Sequence, residues 1–108
     1  MQQANSADQT ASALTLQAIA RELCLEATYN RATVVLAPHI LYTRHGELYV
    51  DSVTIQREGK PPREEKVGSF KLAGLVDLKV SEVAFTRSAL FDPALPRYAG
   101  ETLFAVAA

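Results

Sequence analysis

Apolar residues along this chain keep two rhythms. In "SALTLQAIAREL", Leu16, Ile19, Ala20 and Leu23 recur at i, i+3, i+4 and i+7, the stripe of an amphipathic helix. Thr15 is a candidate N-cap, with Leu14 placed to pack on Ile19 as a hydrophobic staple, and Ser12 is a rival cap one turn earlier. Arg21 falls in the last turn, where a cation suits the helix dipole. The pattern predicts a helix over 12–23 behind a loose polar leader at 1–11. One such helix cannot bury its stripe alone, so it must lie on the rest of the chain.

From Leu25 onward the apolar residues alternate with period two, as in strands. The runs are "LEATY" (25–29), "TVVLAPHILYTR" (33–44), "ELYVDSVTIQ" (47–56), "KVGSFKL" (66–72) and "VDLKVSEVAF" (76–85). "NRA" and "AGL" read as tight connections, and "REGKPPREE" as a charged loop. Pro38 cannot donate to a ladder, so its strand must lie at an edge there, bend or bulge. The last long run slips phase between Val80 and Val83, which a bulge explains. Residues 86–108 mix prolines with Leu90, Phe91, Leu95, Tyr98, Leu103 and Phe104, too apolar for a free tail. They either close the core or dock on another subunit, and "TLFAVA" is a candidate last strand or docked tail. One helix and then a series of short strands predict a mainly β, α+β domain, a small Sm-like or SH3-like barrel.

The stretch "LYTRHGELYV" is the sharpest local signal. His45-Gly46 suits a two-residue type I′ turn, which needs positive φ at both positions. Arg44 then faces Glu47, Thr43 faces Leu48, Tyr42 faces Tyr49, Leu41 faces Val50, Ile40 faces Asp51 and His39 faces Ser52. One face carries Tyr42, Tyr49, Arg44, Glu47 and Asp51. The other carries Leu41, Leu48, Val50 and His39, is joined by Val35 and Ala37, and makes the better core. The first face reads as a cross-strand tyrosine pair that stabilises a sheet, or as an outward stacking platform for bases or other flat anions.

Composition narrows the rest. The chain has 108 residues, 48% of them hydrophobic, and a formal net charge of −1, which gives one domain and no global attraction for polyanions. Any nucleic-acid site must be a local patch. Cys24 is the only cysteine, so neither an internal disulfide nor a cysteine metal cluster forms; beside Leu23 and Leu25 it reads as buried. No stretch approaches the ~18 apolar residues of a membrane helix, and the N-terminus lacks a secretory pattern. A cytoplasmic protein is expected. No motif positions a base beside a nucleophile and the two histidines have no acidic partner at ligand spacing, so neither an enzyme nor a metal site is expected, nor a cofactor.

"APHILYTRHGELYVDSVTI", the charged loop and "KVGSFKLAGLVDLKVSEVAF" together resemble the WYL-domain family of bacteria, over roughly residues 14–92. In that family a proline, often with a His or Arg nearby, precedes a Gly-containing turn and Trp-Tyr-Leu, which here reads Leu48-Tyr49-Val50. The family's Arg-x-Phe-x-Leu-x-Arg-Ile reads Gly68-Ser69-Phe70-Lys71-Leu72-Ala73-Gly74-Leu75. The resemblance implies an Sm-like barrel that senses single-stranded nucleic acid or a nucleotide in transcription regulation. It implies a ligand site of Tyr49, His39, Arg44, Tyr42, Lys71 and Phe70, with tyrosines stacking and cations on phosphate. Both family arginines fall on Gly68 and Gly74, which removes charge-assisted grips, and the residues before the helix are too few for a helix-turn-helix domain. A stand-alone domain would report to a protein partner or a second copy. The alternative is an interaction or oligomerisation module that has lost its ligand.

Overall fold

A computed structural model describes residues 7–99 and 101–108. The elements are α1 (Ala7–Arg21), β1 (Leu23–Tyr29), β2 (Ala32–Arg44), β3 (Glu47–Arg57), β4 (Val67–Lys71), β5 (Val76–Ala84) and β6 (Thr102–Ala105), with short 3₁₀ turns at Leu72–Gly74 and Pro96–Tyr98. Every expected strand is present within a few residues. All pairings are antiparallel, in the order β4-β3-β2-β1-β5, with β6 also paired to β2. The described residues are thus mainly β with one helix. The sheet is not closed: β4 and β5 stand at opposite ends of the order.

The helix departs from expectation in start and phase. It begins by Ala7, inside the expected leader, of which 1–6 lie outside the described residues. Thr15 is no cap: it sits mid-helix, fully buried, and donates its hydroxyl to the Ala11 carbonyl at 2.8 Å. The buried positions are Thr15, Ala18 and Ile19, while Leu16 is 37% exposed and Ala20 is exposed. Leu23 misled the periodicity because it belongs to β1. Between the two elements Glu22 takes φ +56°, the left-handed conformation that ends a helix.

β2 is the spine of the sheet. β3 runs along one side; on the other, residues 32–36 pair with β1 and Ile40–Tyr42 pair with β6. Pro38 falls between those two partners, where a missing donor interrupts neither ladder. Of the edge, bend or bulge expected at Pro38, the strand takes a bulge, one residue further on. Pro38 registers with Ser52 and Ile40 with Asp51, so His39 is the extra residue and does not face Ser52. The bulge reverses the side-chain phase. Ala37 and His39 therefore leave the Leu41 face, where the simple alternation puts them. β5 bulges too: Leu25 meets Val80 and Leu23 meets Ala84, and the Ser81 hydroxyl accepts the freed Val83 N–H at 3.0 Å.

The turn prediction holds: His45 and Gly46 have φ +54° and +78°. From Arg44–Glu47 to Ile40–Asp51 the hairpin register is the expected one. Both hairpin faces are buried, with Leu41, Val50, Tyr42 and Asp51 all at 0% exposure. One cover is α1, which packs on β1, β2, β5 and the Leu72–Gly74 turn. The other is the segment from Phe85 to Tyr98, whose Phe91 and Tyr98 join the core. Val106 is buried too, but Leu90, Leu95, Leu103 and Phe104 remain exposed, so the tail closes the core only in part.

Candidate functional site

The hairpin face expected to point outward does not. Tyr42 is fully buried, because the Tyr98 ring packs edge-on against it at 5.0 Å between centroids. Asp51 organises the cluster. It accepts the Tyr42 hydroxyl at 2.7 Å and the Tyr98 hydroxyl at 2.6 Å, and Arg97 stands 3.7 Å away. Arg97 also donates to Ser69 at 3.2 Å, and Ser69 lies 3.4 Å from the Tyr42 hydroxyl. Burial raises the Tyr42 phenol above its ordinary range, and burial beside Asp51 raises Tyr98 further. A buried carboxylate is tolerated only when its acceptor sites are filled, and here the chain fills them itself.

Tyr49 is half-buried and stacks on Tyr42 at 6.0 Å and 25°. Lys71 registers beside Tyr49, but its ammonium is held by Glu47 at 3.1 Å, which raises its pKa. Arg44 is exposed near the hairpin tip. Phe70 alternates to the other side of β4, where it meets the Tyr29 ring edge-on at 5.1 Å. Only Tyr42, Tyr49 and Lys71 of the expected set therefore come together.

His39 is elsewhere again. The bulge drives its ring, fully buried, between Phe85 and Phe91 at 5.1 and 5.2 Å. Nδ1 donates to the Ala37 carbonyl at 2.8 Å, and Nε2 accepts the Ser88 N–H at 2.9 Å, which fixes the tautomer. Burial holds its pKa below the ordinary 6.5. The Ser88 hydroxyl donates to Glu65 at 2.5 Å. Both imidazole nitrogens are thus occupied, and His39 pins the C-terminal segment. Cys24 is buried nearby, its thiol pKa raised by burial and then by Glu26, so it is not an activated nucleophile.

Two hollows border the β3–β4 loop. The first, about 430 Å³, has Cys24, Ala37, Val53, Ile55 and Phe85 in its wall and Arg63, Glu64 and Glu65 from the loop. The second, about 710 Å³, is lined by Arg57, Lys60, Arg63, Lys66, Phe70 and Glu64, among others. Local backbone geometry builds the second. Glu58 and Gly59 take φ +54° and +78° and fold Lys60 back on Arg57, the two exchanging N–H···O bonds at 2.8 and 3.1 Å. A pair bonded in this way projects both side chains from one face. Pro61 and Pro62 then stiffen the chain that carries Arg63.

Two of the loop's three acids are bonded away from its cations, while Glu64 stays in the groove wall. Glu58 accepts the Thr33 N–H at 2.8 Å, and Glu65 is engaged by Ser88. Among the described residues, Arg57, Lys60, Arg63 and Lys66 make no ion pair. The sequence marks this stretch as a charged loop and does not single out Arg57. The signal was present in "REGK": Glu-Gly between two cations is a two-residue hairpin turn. Among the described residues no group of three His, Cys, Asp or Glu could hold a metal ion. None of the helices there is long and apolar enough to cross a membrane. Comparison with protein-family models, with curated proteins and with solved structures finds no match.

Proposed function

We propose that this protein is a WYL-like binding module for single-stranded nucleic acid or a nucleotide, and that the ligand lies along the Arg57–Lys60–Arg63–Lys66 groove. The observation that carries this reading is the set of cations lining one groove beside Phe70 without an acidic partner. Guanidinium and ammonium groups without partners are the chemistry that grips phosphate, and the partly buried edge of Phe70 gives the groove an apolar border. The WYL resemblance supports the same ligand class, and its Phe70 borders this groove. Lys71 and Tyr49 lie on the other side of β4 and play no part in the grip. An Sm-like fold belongs to the reading; antiparallel strands with one packed helix support it. The test is titration of a labelled single-stranded oligonucleotide. Lys60→Glu combined with Arg63→Glu should weaken binding 10- to 100-fold, while Tyr49→Ala leaves it within twofold. Equal loss in both variants, or none in either, refutes the assignment.

One observation favours a second reading, an oligomerisation module. Leu103 and Phe104, on a strand paired only to β2, are 56% and 39% exposed. An open apolar edge invites a further strand. Sedimentation of the wild type against Leu103→Lys distinguishes them: this second reading requires a dimer that the substitution dissociates, the first requires no change in mass.

A further inference from the structure

The two hollows are neighbours: Thr54, Pro62, Arg63 and Glu64 stand in the walls of both. One is cationic and wide. The other has an apolar floor of Cys24, Ala37, Val53, Ile55 and Phe85, and a rim on which Glu64 and Glu65 stand with Arg63. A nucleotide has the same two-part chemistry, an anionic phosphate joined to a flat ring. Resting on the proposed binding of nucleic acid or nucleotide, we infer that phosphate occupies the cationic groove while the base enters the apolar cleft, and that the cleft selects guanine.

The rim supplies the selection. Carboxylates only accept hydrogen bonds. Glu65 gives one oxygen, Oε2, to the Ser88 hydroxyl and keeps Oε1, while Glu64 makes no ion pair. Guanine presents adjacent N1–H and N2–H₂ donors, which a carboxylate with both oxygens open, as in Glu64, accepts as a pair. Uracil and thymine present one N–H between two carbonyls, and those carbonyls face the carboxylate unfavourably. Adenine and cytosine present a single amino donor beside a ring acceptor. Arg63, in both walls, is placed to neutralise phosphate and lie against the ring. A volume of about 430 Å³ accommodates a purine with water to spare.

The experiment uses the full chain labelled with nitrogen-15 and records amide shifts on addition of GMP, UMP and inorganic phosphate. GMP is expected to bind at least tenfold more tightly than UMP. It should shift Ile55, Val83 and Phe85 as well as Lys60 and Lys66, whereas phosphate shifts only the groove. Ala84→Trp, at an exposed position in the cleft wall, should abolish the GMP preference and leave phosphate binding unchanged, with an unaltered melting temperature as the control for folding. Equal affinity for GMP and UMP, or GMP shifts confined to the groove, overturns the base cleft while leaving the phosphate groove standing. Failure of phosphate, both nucleotides and the oligonucleotide to bind overturns both.

Discussion

The buried tyrosine cluster and the cationic groove both border the β3–β4 region, and each carries charge beside an aromatic ring. On the first side Asp51 is filled by Tyr42 and Tyr98, Arg97 is shared between Asp51 and Ser69, and Lys71 is held by Glu47. On the second side Glu58 and Glu65 are turned onto Thr33 and Ser88, and the cations have no acid within ion-pair distance among the described residues. Similar residue types therefore do different work. Where a polar group's partners come from its own chain, it holds the fold together. Where two of the loop's carboxylates are bonded elsewhere, the cations stand without an ion pair.

The largest effect that would break this contrast is at Asp51. Asp51→Ala leaves two buried phenols without an acceptor and opens a cavity, and should cost about 3 kcal/mol of stability by urea unfolding. Oligonucleotide affinity at a temperature where the variant is folded should not change. If affinity falls while the fold stays intact, the cluster is not purely structural.

Charge reversal in the groove should do the opposite. The Lys60→Glu, Arg63→Glu pair is expected to lose 10- to 100-fold in affinity, about 1.4–2.8 kcal/mol. Its stability should stay within about 0.5 kcal/mol of wild type, as surface changes usually do. A large drop in melting temperature would mean that the loop is part of the core.

His39 sharpens the structural side. Its folded pKa is depressed, so between that value and the unfolded value near 6.5 the unfolded chain binds the extra proton. The stability it contributes is fully present above pH 6.5 and is lost as pH falls through the folded pKa. The slope is at most about 1.4 kcal/mol per pH unit for one proton. Protonation puts a donor on Nε2 opposite the Ser88 N–H, so the C-terminal segment should loosen first, which amide exchange at Ser88 and Val106 reads out. His39→Gln should flatten that part of the pH dependence. Tyr49→Ala is the smallest: about 1 kcal/mol of lost stacking on Tyr42, and affinity within twofold.

Much of the fold was legible in the sequence, because period-two runs, the His45-Gly46 turn and the Pro38 irregularity are all local signals. The cover that each face receives was not legible. Tyr42, Glu47 and Asp51 resemble a solvated face by composition, and the docking of Tyr98, 47 residues from Asp51, buries Tyr42 and Asp51 while Glu47 stays exposed. An edge, a bend or a bulge was expected at Pro38, but the placement of a bulge on His39 depends on how β3 and β6 share the spine, and one residue's difference moved Ala37 and His39 to the other side. The helix phase failed because an apolar residue of the next strand completed a false stripe. The groove stayed hidden because charge balance along a loop says nothing about where each side chain turns.

The most direct test of the central claim is the salt dependence of oligonucleotide binding. If Arg57, Lys60, Arg63 and Lys66 all meet phosphate, the log–log slope against salt should be roughly −3. It should shrink by about 1.4 when Lys60 and Arg63 are both made Gln, and stay unchanged in Tyr49→Ala. A slope near zero in the wild type, or one that Tyr49→Ala alone flattens, contradicts the account.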